Sequence, residues 1–428
     1  MRTKQLPSLK GLKILIISTG SIAAVKTPLL VSNLIKLGVE IKCVVTPSAS
    51  KLVSALSLST LSRNRCFQNE DQWDPKRTKP LHIDLAEWAD LLLVAPLSAS
   101  TLSRWVHGLA EGLAASILLA FEKPIIAAAA MNTGMWNNQS VKNNWKLLKN
   151  YQNVLTLKPE AGLLACDRIG EGRMANEEII QFAIEHALWQ SKQSVKLNQD
   201  LQGLNFLVTT GPTIEDIDAT RFLSNRSSGK MGICLGQAAR FRGATVDLIH
   251  GPLSTSSCFL EGLNNHEIRS GADMQKRIAE LQANANAIVM CSAIVDLRKK
   301  KKVQNIKISK DSLLRSINDS FELVPDLLKE LTAKEKNQQV VLGFSALTGS
   351  QEEIKKIGMS KKDSKGCDLL LANPIDKANQ GFESNFNSGW LLGPQNNMKE
   401  FPVTTKLVLA NQLLDEIKAL LNNPFETK

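Results

Sequence analysis

Gly211–Gly232 reads GPTIEDIDATRFLSNRSSGKMG and stands between an apolar, β-favouring run, Leu204–Thr210 (LNFLVTT), and a helix-like segment, Ile233–Arg242 (ICLGQAARFR). A second short apolar run, Thr245–Ile249, follows. Strand, glycine-punctuated loop, helix and strand form the layout of a nucleotide-binding crossover, in which a loop and a helix N-terminus face phosphates. Between its glycines the loop carries Arg221, Asn225, Ser227, Ser228 and Lys230, a dense set of anion-compatible donors. It is not a P-loop, because Met231 follows Lys230 and Ser224 stands where the first glycine is needed.

A chain of 428 residues exceeds what one hydrophobic core usually serves, so two domains are expected. The best boundary is the polar stretch SKQSVKLNQDLQ, which gives domains at 1–190 and 203–428 joined by a 191–202 linker. No run of 18 or more apolar residues predicts a membrane span, and seven scattered cysteines without a CxxC pair predict a reducing, cytoplasmic setting. The net charge of +11 admits nucleic acid as a partner, but the basic residues are dispersed apart from Arg298–Lys302. Aromatics make up only 5% of the chain, which is poor material for base stacking. Anionic small-molecule substrates explain the charge as well, so no nucleic acid is expected.

In the first half, Lys13–Ser18, Val39–Thr46, Leu91–Ala95 and Pro124–Ala129 are uncharged or nearly uncharged strand candidates. Helical patterns lie between them at Ile22–Leu37, Ser48–Leu61, Ser98–Phe121 and Gln139–Asn150. This βαβ alternation predicts an α/β doubly wound (Rossmann-like) sheet with its function at the carboxyl ends of the strands. Thr19-Gly20-Ser21, Thr46-Pro47-Ser48, the Ala95–Ser100 segment and the Met131–Trp136 segment sit at such ends. In the second half, Ala287–Cys291, Val340–Phe344 and Asp368–Asn373 read as further strands, and Thr405–Leu421 as a closing helix.

The loop Gly211–Gly232 resembles that of the phosphopantothenate–cysteine ligase family, whose motif runs roughly GPTxExIDxVRxxSNxSSGKMG. TGSIAAVK, HIDLAEWAD, APLSAS, AAMNTGMW and ACDRIGEGRM resemble the flavin-binding phosphopantothenoylcysteine decarboxylases, to which the ligase is fused in a bifunctional coenzyme A biosynthesis family. The resemblance implies a flavoprotein domain followed by a nucleotide-binding domain. It also implies CTP-dependent joining of 4′-phosphopantothenate to cysteine through an acyl-cytidylate, then FMN-dependent oxidative decarboxylation to 4′-phosphopantetheine. In that decarboxylation a thioaldehyde delocalises the carbanion left by the departing carboxylate.

By position, the resemblance makes His82 a base, Asn132 the amide that holds the substrate carboxylate, and Cys166 the acid on a flap. Gly20, Ser21, Thr46, Ser98 and Met131 fall to FMN. Arg221 and Asn225 fall to conversion of the acyl-cytidylate. Ser227, Ser228, Gly229, Lys230, Ala293, Asp296, Lys307, Phe344, Lys361 and Lys365 fall to CTP. Mg²⁺ is implied with the triphosphate, its ligands unassigned. The family also forms flavin-domain trimers and ligase-domain dimers, giving a dodecamer with FMN between subunits. The chain departs from the pattern at Ser100, Glu111, Ala130, Asp167-Arg168 and Leu347, and Asn305 falls where the ligases carry a lysine, leaving Lys299–Lys302 as substitutes. An alternative reading keeps the ligase and lets the flavin-type half hold FMN without decarboxylating.

Overall fold

The structure is a computed structural model that describes residues 9–192, 197, 199–300, 307–309, 320–333, 339–377, 380–381 and 383–422. It divides into two compact units, Met1–Asn198 and Gln199–Lys428. Among the described residues, no helix is long and apolar enough to cross a membrane.

The first unit is built on six parallel strands: β1 (Lys13–Ser18), β2 (Glu40–Val45), β3 (Cys66–Phe67), β4 (Leu91–Leu97), β5 (Ile125–Ala129) and β6 (Val154–Leu157). Their order is β3-β2-β1-β4-β5-β6, the doubly wound arrangement. Ile14 to Ile17 and Leu91 to Ala95 are wholly buried, because helices cover both faces, and this is why these strands read as unbroken apolar runs. The order reverses between β1 and β4, and Thr19 bridges that point. Its Oγ1 donates to the Pro96 carbonyl (2.7 Å) and accepts from Ser98 N–H (2.8 Å).

Local structure differs from expectation in three places. Ile22–Leu37 is a 3₁₀ turn, Ile22–Lys26, followed by the helix Thr27–Lys36 with Pro28 in its first turn. Ser98–Phe121 is two helices, Ala99–Val106 and Leu113–Ala120, interrupted by the glycine-bearing segment 107–112. After β6 the chain folds an antiparallel hairpin, β7 (Glu160–Leu163) and β8 (Ile169–Arg173), where no strand was anticipated. The following helix runs to Lys192.

The second unit repeats the arrangement. Its strands are β9 (Asn205–Thr210), β10 (Ile214–Asp216), β11 (Phe222–Ser224), β12 (Thr245–His250), β13 (Asn264–Glu267), β14 (Ala287–Met290), β15 (Leu297–Lys299), β16 (Phe321–Leu323), β17 (Val340–Leu347), β18 (Leu369–Pro374), β19 (Phe386–Leu392) and β20 (Met398–Thr405). The main sheet has the order β13-β12-β9-β14-β17-β18-β19-β20, parallel as far as β18 and extended by an antiparallel pair. Its reversal lies between β9 and β14. The segment after β9 is not a plain loop, for β10 and β11 pair within it. Buried Arg242 ties the start of the unit to the helix Lys406–Asn422 through Asp200 (2.6 Å) and Asp415 (2.9 Å).

The helix Lys230–Phe241 lies hard against β9. A Cβ on Gly232 would fall 2.4 Å from Thr210 Cβ and Oγ1 and 3.2 Å from the Thr209 carbonyl. Gly232→Ala is therefore expected to push this helix off the strand and cost about 1–3 kcal/mol, as overpacking does. A thermal melt of the full chain checks it, and an unchanged midpoint would contradict the packing described.

Candidate active sites

At the carboxyl edge of the first sheet, Ser21, Thr46 and Ser98 each accept a backbone N–H from the turn that follows: Ala23 (3.5 Å), Ala49 (3.3 Å) and Thr101 (3.3 Å). Ser98 Oγ also donates to Thr101 Oγ1 (3.2 Å). Gly20 has no room for a side chain, since a Cβ there would meet Ser48 Cβ at 2.6 Å. The β1 and β2 ends are thus drawn together into an edge of hydroxyls and backbone N–H groups. Thr46, Arg104 and Glu111 line a small cavity of ≈ 40 Å³ there, and Glu111 pairs loosely with Arg104 (3.8 Å). Ser100 faces solvent.

The β7–β8 hairpin lies directly on the segment after β5. Met131 N–H donates to the Gly172 carbonyl (3.1 Å). A Cβ on Gly172 would come within 2.4 Å of the Met131 carbonyl, so only glycine permits this approach. Trp136 Nε1 donates to Glu171 Oε2 (3.0 Å), which fastens the other side of the hairpin. The turn Leu164–Arg168 closes through Leu164 N–H to the Arg168 carbonyl (2.9 Å), with Asp167 at φ 57°. Aspartate tolerates this left-handed conformation better than most residues, so the hairpin turn closes without a glycine at this position.

The consequence is chemical. Asn132 Nδ2 donates to Cys166 Sγ (3.6 Å), while Asn132 Oδ1 caps the next helix by accepting Gly134 N–H (2.8 Å). Two residues 34 positions apart thereby share one exposed site. His82 stands half-buried on the first turn of the helix Leu81–Trp88, and among the described residues no hydrogen bond joins it to that pair.

The second unit holds a cavity of ≈ 800 Å³ at the carboxyl ends of β9, β14 and β17. Asn225, Ser227, Ser228, Gly229 and Lys230 line it from the loop, Ala293 and Asp296 from beyond β14, Phe344 from β17, and Lys361 and Lys365 from the helix Gln351–Lys365. Asn225 Nδ2 donates to the Ile294 carbonyl (3.0 Å), which fixes the loop across the cavity mouth. Among the described lining residues, Arg226, Lys230, Lys361, Lys365 and Lys406 outnumber the acidic Asp296 and Asp326, so this lining is cationic. Asp326 is itself held by Lys365 (3.4 Å). Ser292 Oγ and Ser345 Oγ are buried in the wall without a hydrogen-bond partner among the described residues. Buried hydroxyls of this kind ordinarily find one, so these two have hydrogen-bonding capacity left unused by the described residues.

Arg221 and Lys307 were expected among the CTP and intermediate contacts, but neither lines this cavity. Arg221 is captured by the carboxylate three residues before it. Its Nε and Nη2 donate to Asp218 Oδ2, the former at 3.0 Å, and Nη2 donates also to the Ile308 carbonyl (2.7 Å). Asp218 in turn accepts Ile308 N–H (3.2 Å), so the pair anchors the segment that carries exposed Lys307. Asn305, Lys301 and Lys302 lie outside the described residues. Sequence reasoning missed Lys406, Asp326, Asn373 and Asn387 as lining residues.

Arg221 holds the Asp218 carboxyl well below the usual carboxylate range, helped by the N–H and hydroxyl of Thr220. A carboxyl depressed on folding contributes stability that is present above its unfolded value, about 4, and is lost as pH falls through the lower folded value. Melts of the full chain between neutral pH and pH of about 3 are expected to show this acid-side loss. In Asp218→Asn that part of the pH dependence should disappear, and the neutral-pH midpoint should fall. An identical pH profile in both proteins would refute the pairing.

Two units with parallel sheets and polar groups gathered at their carboxyl edges define a doubly wound α/β class. The family described as Flavoprotein matches residues 3–188, and the one described as DNA/pantothenate metabolism flavoprotein C-terminal domain matches residues 201–421. The coenzyme A biosynthesis bifunctional protein CoaBC of Bacillus subtilis (strain 168) is 32% identical over 416 residues, spanning 96% of this chain and 98% of that protein. Its Escherichia coli (strain K12) counterpart is 32% identical over 419 residues, spanning 96% and 97%. A solved C-terminal domain of such a protein is 27% identical over 53% of this chain and all of its own length, with a TM-score of 0.42. The chain belongs to the family of coenzyme A biosynthesis bifunctional proteins.

Proposed function

We propose that the chain makes 4′-phosphopantetheine in two steps, ligating 4′-phosphopantothenate to cysteine in its second unit and decarboxylating the product in its first. The observation that carries the reading is the cationic cavity, which gathers the Asn225–Lys230 loop, Asp296 and the Lys361–Lys365 pair around one space. In the first step the 4′-phosphopantothenate carboxylate attacks the α-phosphorus of CTP, pyrophosphate leaves, and an acyl-cytidylate forms. The amine of cysteine then attacks its carbonyl, CMP leaves, and the amide is made. The protein's part is positioning and charge stabilisation, for which five cations and the orphaned Ser292 and Ser345 hydroxyls are suited.

Mg²⁺ would be held chiefly by phosphate oxygens. Asp296 and Asp326 are the carboxylates among the described residues that line the cavity.

The edge formed by Gly20, Ser21, Thr46, Ser98 and Met131 is uncharged, and the Ser21 and Thr46 hydroxyls accept backbone N–H groups while keeping their own protons to donate, which fits the phosphate and polar rim of FMN. Bound there, FMN supplies a two-electron acceptor and donor. Asn132 holds the substrate carboxylate through its amide, Cys166 delivers a proton to the enethiol carbon, and His82 serves as base. The Asn132–Cys166 contact favours an active decarboxylase over a unit that only holds FMN.

All seven cysteines are free, in support of a cytoplasmic setting. Exposed apolar side chains at Ile22, Val25 and Leu29 in the first unit, and at Phe222 and Leu323 in the second, support homo-oligomers formed through each unit, with FMN between subunits. The test supplies CTP, 4′-phosphopantothenate and cysteine to the FMN-loaded chain and follows products by mass. Phosphopantetheine and CO₂ are expected. Accumulation of phosphopantothenoylcysteine would leave only the ligase standing, and unconsumed CTP would overturn the ligase half.

A further inference from the structure

Lys230 opens the helix Lys230–Phe241 and Lys406 opens the helix Lys406–Asn422, and these helices pack on each other. Both lysines line the same cavity. A helix N-terminus is already partly positive, so a cation in the first turn is adverse. Lys406 is also only 4% exposed, and burial of an ammonium is costly. That burial holds Lys406 below the ordinary lysine range against the opposing pull of Cys234 and Cys291, and Lys230 adds to the lowering.

Both side chains are aimed by one short loop. Lys406 Nζ donates to the Gly381 carbonyl (2.9 Å), and Lys230 Nζ donates to Asn385 Oδ1 (3.1 Å) and the Glu383 carbonyl (3.3 Å). The Lys406 N–H reaches the Asn385 carbonyl (3.0 Å), so the loop and the second helix are tied at both ends. The orphaned Ser292 and Ser345 hydroxyls in the same wall are an independent sign that a polar ligand completes the site.

We propose that Lys406 and Lys230 form an anion subsite that takes a phosphate of one of the two phosphorylated ligase substrates; the proposal deepens the ligase reading and rests on it. A phosphate there gains two ammonium groups beside the N-terminus of the helix Lys230–Phe241, and its charge relieves the cost of keeping Lys406 ionised. The source is either the triphosphate of CTP or the phosphomonoester of 4′-phosphopantothenate.

Calorimetry on the full chain distinguishes these sources, with CTP, 4′-phosphopantothenate and inorganic tripolyphosphate as separate probes. Lys406→Gln is expected to weaken either CTP or 4′-phosphopantothenate about ten- to a hundredfold and to leave the other within about threefold, as loss of a charged hydrogen-bond donor does. Tripolyphosphate should weaken with CTP if the triphosphate is the ligand and stay unchanged if the phosphomonoester is. Lys406→Arg, which keeps the charge, should recover most of the loss, and Lys230→Gln should reproduce the selective pattern.

Wild-type affinity for every probe in a folded Lys406→Gln protein overturns the proposal. So does an equal loss for all probes in the glutamine and arginine variants alike, with matching falls in melting temperature, because that is the mark of a structural lysine. A wild-type chain that releases no pyrophosphate from CTP would defeat the ligase reading instead, while the binding titrations still decide whether Lys406 holds an anion.

Discussion

Cys166→Ser is expected to lower 4′-phosphopantetheine formation by about 10²–10⁴-fold while CO₂ release from phosphopantothenoylcysteine continues through at least one turnover. In the proposed reaction the thiol gives a proton late, and a serine hydroxyl is a far weaker acid of nearly the same size. The placement is built rather than accidental. Gly172 lies against the Met131 carbonyl, Glu171 accepts from Trp136, and Asn132 Nδ2 reaches Cys166 Sγ at 3.6 Å. The substitution changes no packed residue, since Cys166 is exposed. The melting temperature should therefore hold while an enethiol product accumulates on the protein, visible by mass after rapid quenching. Normal phosphopantetheine output from the serine protein would remove Cys166 from the chemistry.

What could be read from the chain and what could not follow from how each feature is encoded. β1, β4, β5, β9 and β14 announce themselves because they are buried on both faces and carry no alternation to confuse with a helix. The donors Asn225 to Lys230 are contiguous, so one loop delivers them together. The hairpin β7–β8 is rich in glycine and weak in β propensity, and its pairing is secured by contacts with Met131, Thr133 and Trp136 that no local pattern contains. β10 and β11 have three residues each, too few for a period. The resemblance assigned Arg221 to the acyl-cytidylate, and no local pattern showed that Asp218, three residues earlier, pairs with it. Lys406 gave one faint signal, a lysine in the first turn of a helix where the dipole disfavours it.

The same contrast between a contiguous motif and a long-range contact gives Asn225→Asp its expected outcome: pyrophosphate release of about one equivalent per site, followed by turnover slowed about 10²–10³-fold, the size of effect seen when a donor to developing charge is lost. Asn225 lines the cavity and its amide donates to the Ile294 carbonyl (3.0 Å). Aspartate keeps the shape but offers only acceptors, so it would face that carbonyl without a proton to share. The position is exposed, so the new carboxylate stays ionised near neutrality and presents negative charge to the phosphorylated intermediate. Lys230, Lys361 and Lys365 still line the cavity in this variant, so formation of the acyl-cytidylate is expected to persist. Its conversion by the cysteine amine then lacks the donor that orders the loop and gains a repulsive charge beside the reacting carbonyl. Quenched-flow mass analysis should find the acyl-cytidylate bound to the protein. Asn225→Ala, which loses the hydrogen bond without adding charge, should slow turnover less. Steady turnover of the aspartate variant at the wild-type rate, or equal effects of the two substitutions, would show that the Asn225 amide is a loop tether alone.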